Sequence, residues 1–244
     1  MVPRPIVHLL RTGVAARSHG HLAAESDAWP ETRVIGGPAL SRDGRRVAFT
    51  AKRDDGATTL WVVNSDGTDA HILTTSLVLD GAPAWAPDGQ TLTVGALVEG
   101  IPNLFTVPDD GGAPVRLVRE HSSDPAWSLD GEFIIFSGAD VGTTFKLKGV
   151  DAKGQPYAIP QLTLTRGARH VAFLEGKRSL VFLRGDMDRK NLWAVDLDTG
   201  AERQLTNFAS GFALRNFDVA PDGREIVIEQ VQEQSDIVLI ERVP

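Results

Sequence analysis

Three side chains that could act together in acid–base chemistry lie far apart in the chain, each beside a hydrophobic run. They are Asp124, His170 and Asp218. Two carboxylates facing each other across a cleft can cleave a glycosidic bond, so a glycan-active hydrolase or lyase is one hypothesis. Aspartate beside a turn more simply accepts hydrogen bonds from the turn backbone. We therefore interpret the two aspartates, and His170 with them, as structural residues.

Metal binding is the second chemistry that the residue types allow. Asp186 and Asp188, with Asp140 and Glu99, offer the oxygen ligands that Ca²⁺ prefers, but they lack the spacing of a calcium-binding loop. The His19-Gly20-His21 segment is a weak pair of ligands, and the absence of cysteine excludes thiolate sites. We therefore expect no metal ion and no cofactor.

No nucleophile or phosphate-binding motif is present in the sequence. A serine hydrolase needs Gly-x-Ser-x-Gly at a sharp turn, and the nearest segment, around Ser210, has Ala209 directly before the serine and Phe208 where the first glycine belongs. Neither a P-loop nor a Gly-x-Gly-x-x-Gly fingerprint occurs. These absences favour a protein that binds a partner over an enzyme.

A group of basic residues in the last third of the chain is the candidate ligand-binding site. Its members are Arg166, Arg169, His170, Arg189 and Arg215. The whole chain carries a formal net charge of −7, which disfavours a nucleic-acid partner. A local basic patch on an acidic protein could instead attract an acidic peptide, whereas scattered arginines would be ordinary surface charge.

The elements that position these residues are five copies of one turn between two hydrophobic runs. The copies centre on Gly44, Gly89, Gly131, Gly176 and Gly223. Asp-Gly between apolar runs predicts a β-hairpin, because glycine adopts positive φ without steric cost. The fourth copy departs from this pattern, with Glu175 where the others have aspartate.

Each turn is followed by two strand-like runs, and in four of the five units a second glycine turn and a short outer strand come next. One complete unit therefore forms a four-stranded antiparallel meander. Units of about 40–45 residues are the size of one blade of a β-propeller. Aromatic residues recur at the same place in several units, with Trp61 and Trp193 in the third strand and Trp85 and Trp127 in the first. We expect these aromatic residues to form the core between blades.

The repeated unit, typified by Pro83-Ala84-Trp85-Ala86-Pro87-Asp88-Gly89 with a later Asn191-Leu192-Trp193, resembles the WD40-like repeat of TolB. It is also similar to the propellers of prolyl oligopeptidase and dipeptidyl peptidase IV relatives, and to propellers fused to bacterial kinases and regulators. The resemblance implies an all-β fold, a β-propeller of four-stranded antiparallel blades. It also implies either a periplasmic lipoprotein partner, as in TolB, or a sensor domain within a larger protein.

The repeats predict two segments. Residues 1–30 carry no blade motif and form an arm, either a short helix or a loose segment, and residues 31–244 form the propeller. Because the fifth unit lacks an outer strand, we interpret residues 31–36 as the strand that completes the last blade. The five units then form a five-blade ring, or part of a six-blade one.

Alternation of the strands places the two kinds of connection on opposite faces of the propeller. The short glycine turns share one face, and the longer, variable connections share the other. Loops held by a rigid frame commonly carry function, so we expect a protein or peptide partner on the variable face or at the mouth of the central channel. A channel lined by carboxylates and histidine would favour an enzyme instead.

The remaining expectations concern compartment and assembly. No run of 18 apolar residues predicts a membrane-spanning helix, and the first residues do not form a signal peptide. We therefore expect a monomer without a membrane span. It is cytoplasmic if the chain begins at its natural start and periplasmic if that start is truncated.

Overall fold

The structure, a computed structural model, describes residues 6–12, 32–165, 170–174, 178–185, 190–208, 213–220 and 223–231. All regular elements of these residues are β-strands. They are β1 (Ile6–Thr12), β2 (Thr32–Val34), β3 (Ala39–Leu40), β4 (Arg46–Arg53), β5 (Thr58–Asn64), β6 (His71–Thr74), β7 (Leu79–Trp85), β8 (Thr91–Val98), β9 (Ile101–Pro108), β10 (Val115–Arg116), β11 (Ser123–Trp127), β12 (Phe133–Val141), β13 (Thr144–Asp151), β14 (Pro156–Tyr157), β15 (Thr163–Thr165), β16 (Val171–Leu174), β17 (Ser179–Arg184), β18 (Asn191–Asp196), β19 (Glu202–Gln204), β20 (Ala213–Val219) and β21 (Glu225–Val231).

The strands form five separate sheets in chain order, which we call blades 1 to 5. Blade 1 contains β2 to β6, blade 2 contains β7 to β10, blade 3 contains β11 to β15 and blade 4 contains β16 to β19. Blade 5 contains β20, β21 and β1. Within blades 1 to 4 every pairing is antiparallel. The prediction of an all-β propeller with five repeated units is confirmed.

The Asp-Gly turns that close the first hairpin of blades 1 and 3 share one hydrogen-bond pattern. In blade 3, the Ser128 hydroxyl donates to Asp130 Oδ1 at 2.6 Å, while Ser128 Oγ accepts the backbone N–H of Phe133 at 3.0 Å. The backbone N–H of Gly131 donates to the Ser128 carbonyl, and Gly131 has φ of 76°. Glycine is needed here because this left-handed conformation strains other residues.

Apolar clusters fill the spaces between successive blades. Four clusters join blades 1 and 2, blades 2 and 3, blades 3 and 4, and blades 4 and 5. Phe145 and Trp85 are buried in such clusters, as the repeated positions of the aromatic residues predicted, and Trp193 packs partly buried against one. Trp61 is buried in a further cluster whose members all come from blade 1. Burial of apolar surface between blades makes each blade depend on its neighbours.

The innermost strand of blade 1 is built differently from the prediction. β2 and β3 both pair with β4, Val34 opposite Ala51 and Leu40 opposite Val47. Together they form one interrupted inner strand of the first blade, so the interpretation of residues 31–36 as the outer strand of the last blade is wrong. The inner edge of β4 needs partners for its backbone groups along its whole length, and β3 alone covers only part of it.

The last blade takes a strand from the beginning of the chain. β1 pairs with β21 in parallel, Ile6 opposite Glu225 and Thr12 opposite Val231. This part of the arm is therefore a strand, where the sequence suggested a helix or a loose segment. The predicted third strand of the fifth unit, residues 236–240, lies outside the described residues, and the boundary between arm and propeller stays a prediction.

Candidate functional site

Acidic side chains from separate blades stand on the innermost strands. The innermost strands contact one another in the order β3, β7, β11, β16 and β20. β7 also contacts β4 of blade 1. We call these five strands the inner wall. It carries Asp80 at the start of β7, Asp124 at the start of β11 and Asp218 near the end of β20, and we call these three residues the acidic cluster. The two members at strand starts lie toward the variable face.

Asp124 is held against blade 2 by an unusual backbone conformation. Its φ is 52°, a left-handed conformation that aspartate tolerates better than most residues. The Ser123 hydroxyl donates to Asp124 Oδ2 at 3.1 Å. A Cβ atom added to Gly81 of blade 2 would lie 3.9 Å from Asp124 Oδ1. The carboxylate of blade 3 therefore comes next to the residue that follows Asp80.

His170 and Asp218 meet across the boundary between blades 4 and 5. His170 Nε2 lies 3.9 Å from Asp218 Oδ1, and the two side chains are 48% and 76% exposed. The His170 ring packs edge-on against Phe217, with centroids 4.8 Å apart. The separation is too long for a direct hydrogen bond, so the two side chains form an ion pair across solvent only when His170 is protonated.

The surroundings of His170 shift its pKa downward. Protein atoms crowd the imidazole although half of its surface faces solvent, and this crowding lowers the pKa by disfavouring the charged form. The carboxylate of Asp218, and then that of Asp124, oppose the shift by attracting the protonated ring. Both Asp218 and Asp124 therefore lie close enough to His170 to act on the charge of its ring.

The predicted basic patch is only partly within the described residues. Arg166, Arg169 and Arg189 lie outside them, and Arg215 belongs to β20 but its side chain is not described. Their clustering therefore stays a prediction. What the structure brings to His170 is acidic, because Asp218 and Asp124 both act on its ring.

Asp80 and the grooves of the turn face were not predicted from the sequence. Asp80 is exposed on β7, and its one local signal is the Asp80-Gly81 pair before Pro83. On the face of the glycine turns, cavities of about 510 Å³ and about 390 Å³ lie between blades 3 and 4 and between blades 2 and 3. Both are open grooves, and the second lies beside Trp127, a repeated aromatic residue.

An arginine closes part of the larger groove. Arg178 stands over the rings of Phe133 and Tyr157, 5.0 Å and 5.2 Å from their centroids, and its Nε lies 3.4 Å from Asp198 Oδ1. A guanidinium placed over aromatic faces is attracted by their electron density. Arg178 therefore links blade 4 to blade 3 on the turn face.

Two further expectations concern groups elsewhere in the chain. Within the described ranges, no group of three or more His, Asp or Glu side chains is placed to hold a metal ion. Asp186 and Asp188, from the weak calcium hypothesis, lie outside those ranges. In the same part of the chain, no helix has the length and apolar character to cross a membrane.

A sequence model described as TolB beta propeller domain matches residues 30–213. The chain belongs to this family. The match includes four of the five repeated turns and both the β7 and β11 inner strands, so the acidic residues Asp80 and Asp124 lie inside a TolB-type propeller.

Solved structures show the same fold at low sequence identity. TolB from Acinetobacter baumannii matches with a TM-score of 0.57 and 15% identity, over 82% of this chain and 57% of its own. A protein described as TolB from Agrobacterium tumefaciens matches with a TM-score of 0.61 and 20% identity, over 83% of this chain and 78% of its own. Oligogalacturonate lyase from Vibrio parahaemolyticus matches with a TM-score of 0.57 and 16% identity, over 82% and 59%. This chain covers little more than half of the length of the first and third of these proteins.

Proposed function

We propose that this TolB-family propeller is a non-enzymatic module that binds a cationic segment of a protein or peptide at the inner wall, entering from the variable face. The observation that carries the proposal is the acidic cluster, with one carboxylate each from blades 2, 3 and 5. Grouped carboxylates attract Lys and Arg side chains and orient them on approach.

Exposure supports binding from solution. Asp80 is exposed and Asp218 is 76% exposed, so a ligand can reach both carboxylates without opening the fold. The formal net charge of −7 adds a long-range attraction for cationic segments. The chain shares its family with TolB propellers, and two of its structural neighbours are described as TolB.

The test is selection of peptides from a phage-displayed library of random 12-residue sequences on the immobilised full chain. Wild type is expected to enrich Lys and Arg. The double variant Asp80→Asn, Asp124→Asn keeps the side-chain shapes, and asparagine also tolerates positive φ. It is expected to bind the selected peptides about tenfold more weakly, and the difference is expected to shrink as salt screens the charges.

The matched control is Glu132→Gln, which removes one exposed carboxylate on the turn face. It is expected to select the same peptides as wild type. Selection of Asp- and Glu-rich peptides would contradict the cationic ligand and would instead support the predicted arginine patch. If the folded wild type enriches no peptides, the binding proposal is wrong.

A second candidate is a glycan-active hydrolase or lyase, favoured by the meeting of His170, Asp218 and Asp124. Carboxylates and a histidine of this kind can supply general acid–base catalysis, and a structural neighbour is named an oligogalacturonate lyase. The test is release of new sugar chain ends from oligogalacturonate and from neutral oligosaccharides. Activity of wild type that is lost in Asp218→Asn would establish this candidate. If wild type releases no new chain ends from either kind of oligosaccharide, the candidate is ruled out for these substrates.

A further inference from the structure

Exposed apolar side chains lie next to the acidic cluster on blade 2. Val78 precedes β7 and is 58% exposed, and Leu97 of β8 is 37% exposed. On the neighbouring blade, Val141 ends β12 with 71% of its surface exposed. Large apolar residues grouped on one surface mark interaction sites more often than isolated ones do.

Strand pairing places two of these apolar residues in register with Asp80. The backbone N–H of Leu97 donates to the Val78 carbonyl at 2.8 Å, and the ladder continues with Leu79 opposite Ala96 and Asp80 opposite Gly95. Directly opposed residues point to the same side of a sheet, so Val78 and Leu97 share one side.

Alternation along the strand adds Asp80 to that same side. Residues two apart in a strand point the same way, and Leu79 between them points into the apolar cluster of blades 1 and 2. Val78, Asp80 and Leu97 therefore face blade 3. Asp124 of blade 3 lies against Gly81, so carboxylates from two blades stand at the inner end of this row.

We propose that the row formed by Val78, Asp80 and Leu97, with Asp124 beside it, binds one class of ligand. This ligand is an extended peptide that carries Lys or Arg and has a large apolar side chain two residues away. The inference rests on the proposed function and names its ligand class. In an extended peptide, residues two apart on one side are about 7 Å apart, which is the same spacing that separates Val78 from Asp80 along their strand. The cation meets Asp80 and Asp124, and the apolar side chain covers Val78 and Leu97.

Charge complementarity selects such a peptide over a second copy of the chain as the occupant. A second copy carries the same net charge of −7, and two molecules of like net charge repel each other on approach. A basic residue beside the apolar one removes this opposition.

The test uses four biotinylated 12-residue peptides on a biosensor surface, binding the full chain from solution. They share a Gly-Ser host and differ at the centre: Lys-Ser-Leu, Lys-Ser-Ser, Ser-Ser-Leu and Ser-Ser-Ser. Wild type is expected to bind Lys-Ser-Leu about tenfold more tightly than Lys-Ser-Ser, the effect of partly burying one leucine side chain. The Val78→Ser, Leu97→Ser variant is expected to lose that preference and keep its preference for lysine.

The control is Val115→Ser, which removes an apolar side chain that is 61% exposed on the outer strand β10. It is expected to discriminate as wild type does. Equal binding of Lys-Ser-Leu and Lys-Ser-Ser by wild type, both above Ser-Ser-Ser, would overturn this inference and leave the proposed function intact. Binding of neither lysine peptide above Ser-Ser-Ser would overturn both.

Discussion

At the scale of single residues, protonation of His170 on the inner wall makes the free energy of unfolding depend on pH. Crowding lowers its pKa in the folded protein, and Asp218 and Asp124 only partly offset this. An unfolded histidine titrates near pH 6.5. A lowered folded pKa means that folding favours the neutral ring, so the contribution is present above about pH 6.5 and is lost as the pH falls toward the folded value.

The resulting prediction is that His170→Gln flattens the pH dependence of stability. Between about pH 7 and pH 5, wild type should lose stability faster than the variant, because the unfolded chain gains a proton that the folded chain resists. Urea unfolding at a series of pH values measures the difference. A His170→Gln variant whose stability falls as steeply as that of wild type would contradict the assignment.

At the scale of elements, hairpins could be predicted from the sequence and the partners of isolated short strands could not. An Asp-Gly turn joins strands that are neighbours in the chain, so Asp88-Gly89 and Asp130-Gly131 carry their own pairing information. Thr32–Val34 has no turn that ties it to a partner, and its position beside β4 depends on contacts made elsewhere. The meeting of His170 with Asp218 is of the same nonlocal kind, since each residue belongs to a different blade.

A close approach between blades 1 and 2 gives the second prediction. A Cβ atom at Gly36 would overlap the carbonyl oxygen of Gly81, which already accepts the Thr50 hydroxyl at 2.6 Å. Gly36→Ala should therefore force the two blades apart and lower the free energy of unfolding by about 1–3 kcal/mol. Denaturant unfolding measures the loss.

The neighbouring residue provides a matched control for that prediction. A Cβ atom added to Gly37 meets nothing within 4 Å. Gly37→Ala changes the chain in the same chemical way, one position along, without the overlap. Equal stabilities of the two alanine variants would show that the blades do not approach each other this closely at Gly36.

At the scale of the whole molecule, blade 1 has buried apolar residues on both of its faces. One of its faces packs against blade 2 through Leu60 and Val62. Its other face carries a second buried cluster, in which Phe49 and Trp61 stack with centroids 6.3 Å apart. Blades of a repeat array depend on burial of both faces, and the low exposure of Trp61, 6%, shows that this second face of blade 1 is buried as well.

The third prediction is that Trp61→Ala costs as much as a core substitution in a central blade. Trp61 is 6% exposed and Phe136 of blade 3 is 0% exposed. Truncation of either large buried aromatic side chain should lower the free energy of unfolding by about 3–5 kcal/mol. If the face of blade 1 that carries Trp61 were exposed to solvent, truncation of Trp61 would lower the free energy of unfolding far less than truncation of Phe136. Urea unfolding of both variants, beside Val115→Ala at an exposed site, separates the two cases: similar large losses mean that the first blade is enclosed like the third, and a small loss at Trp61 alone means that it is not.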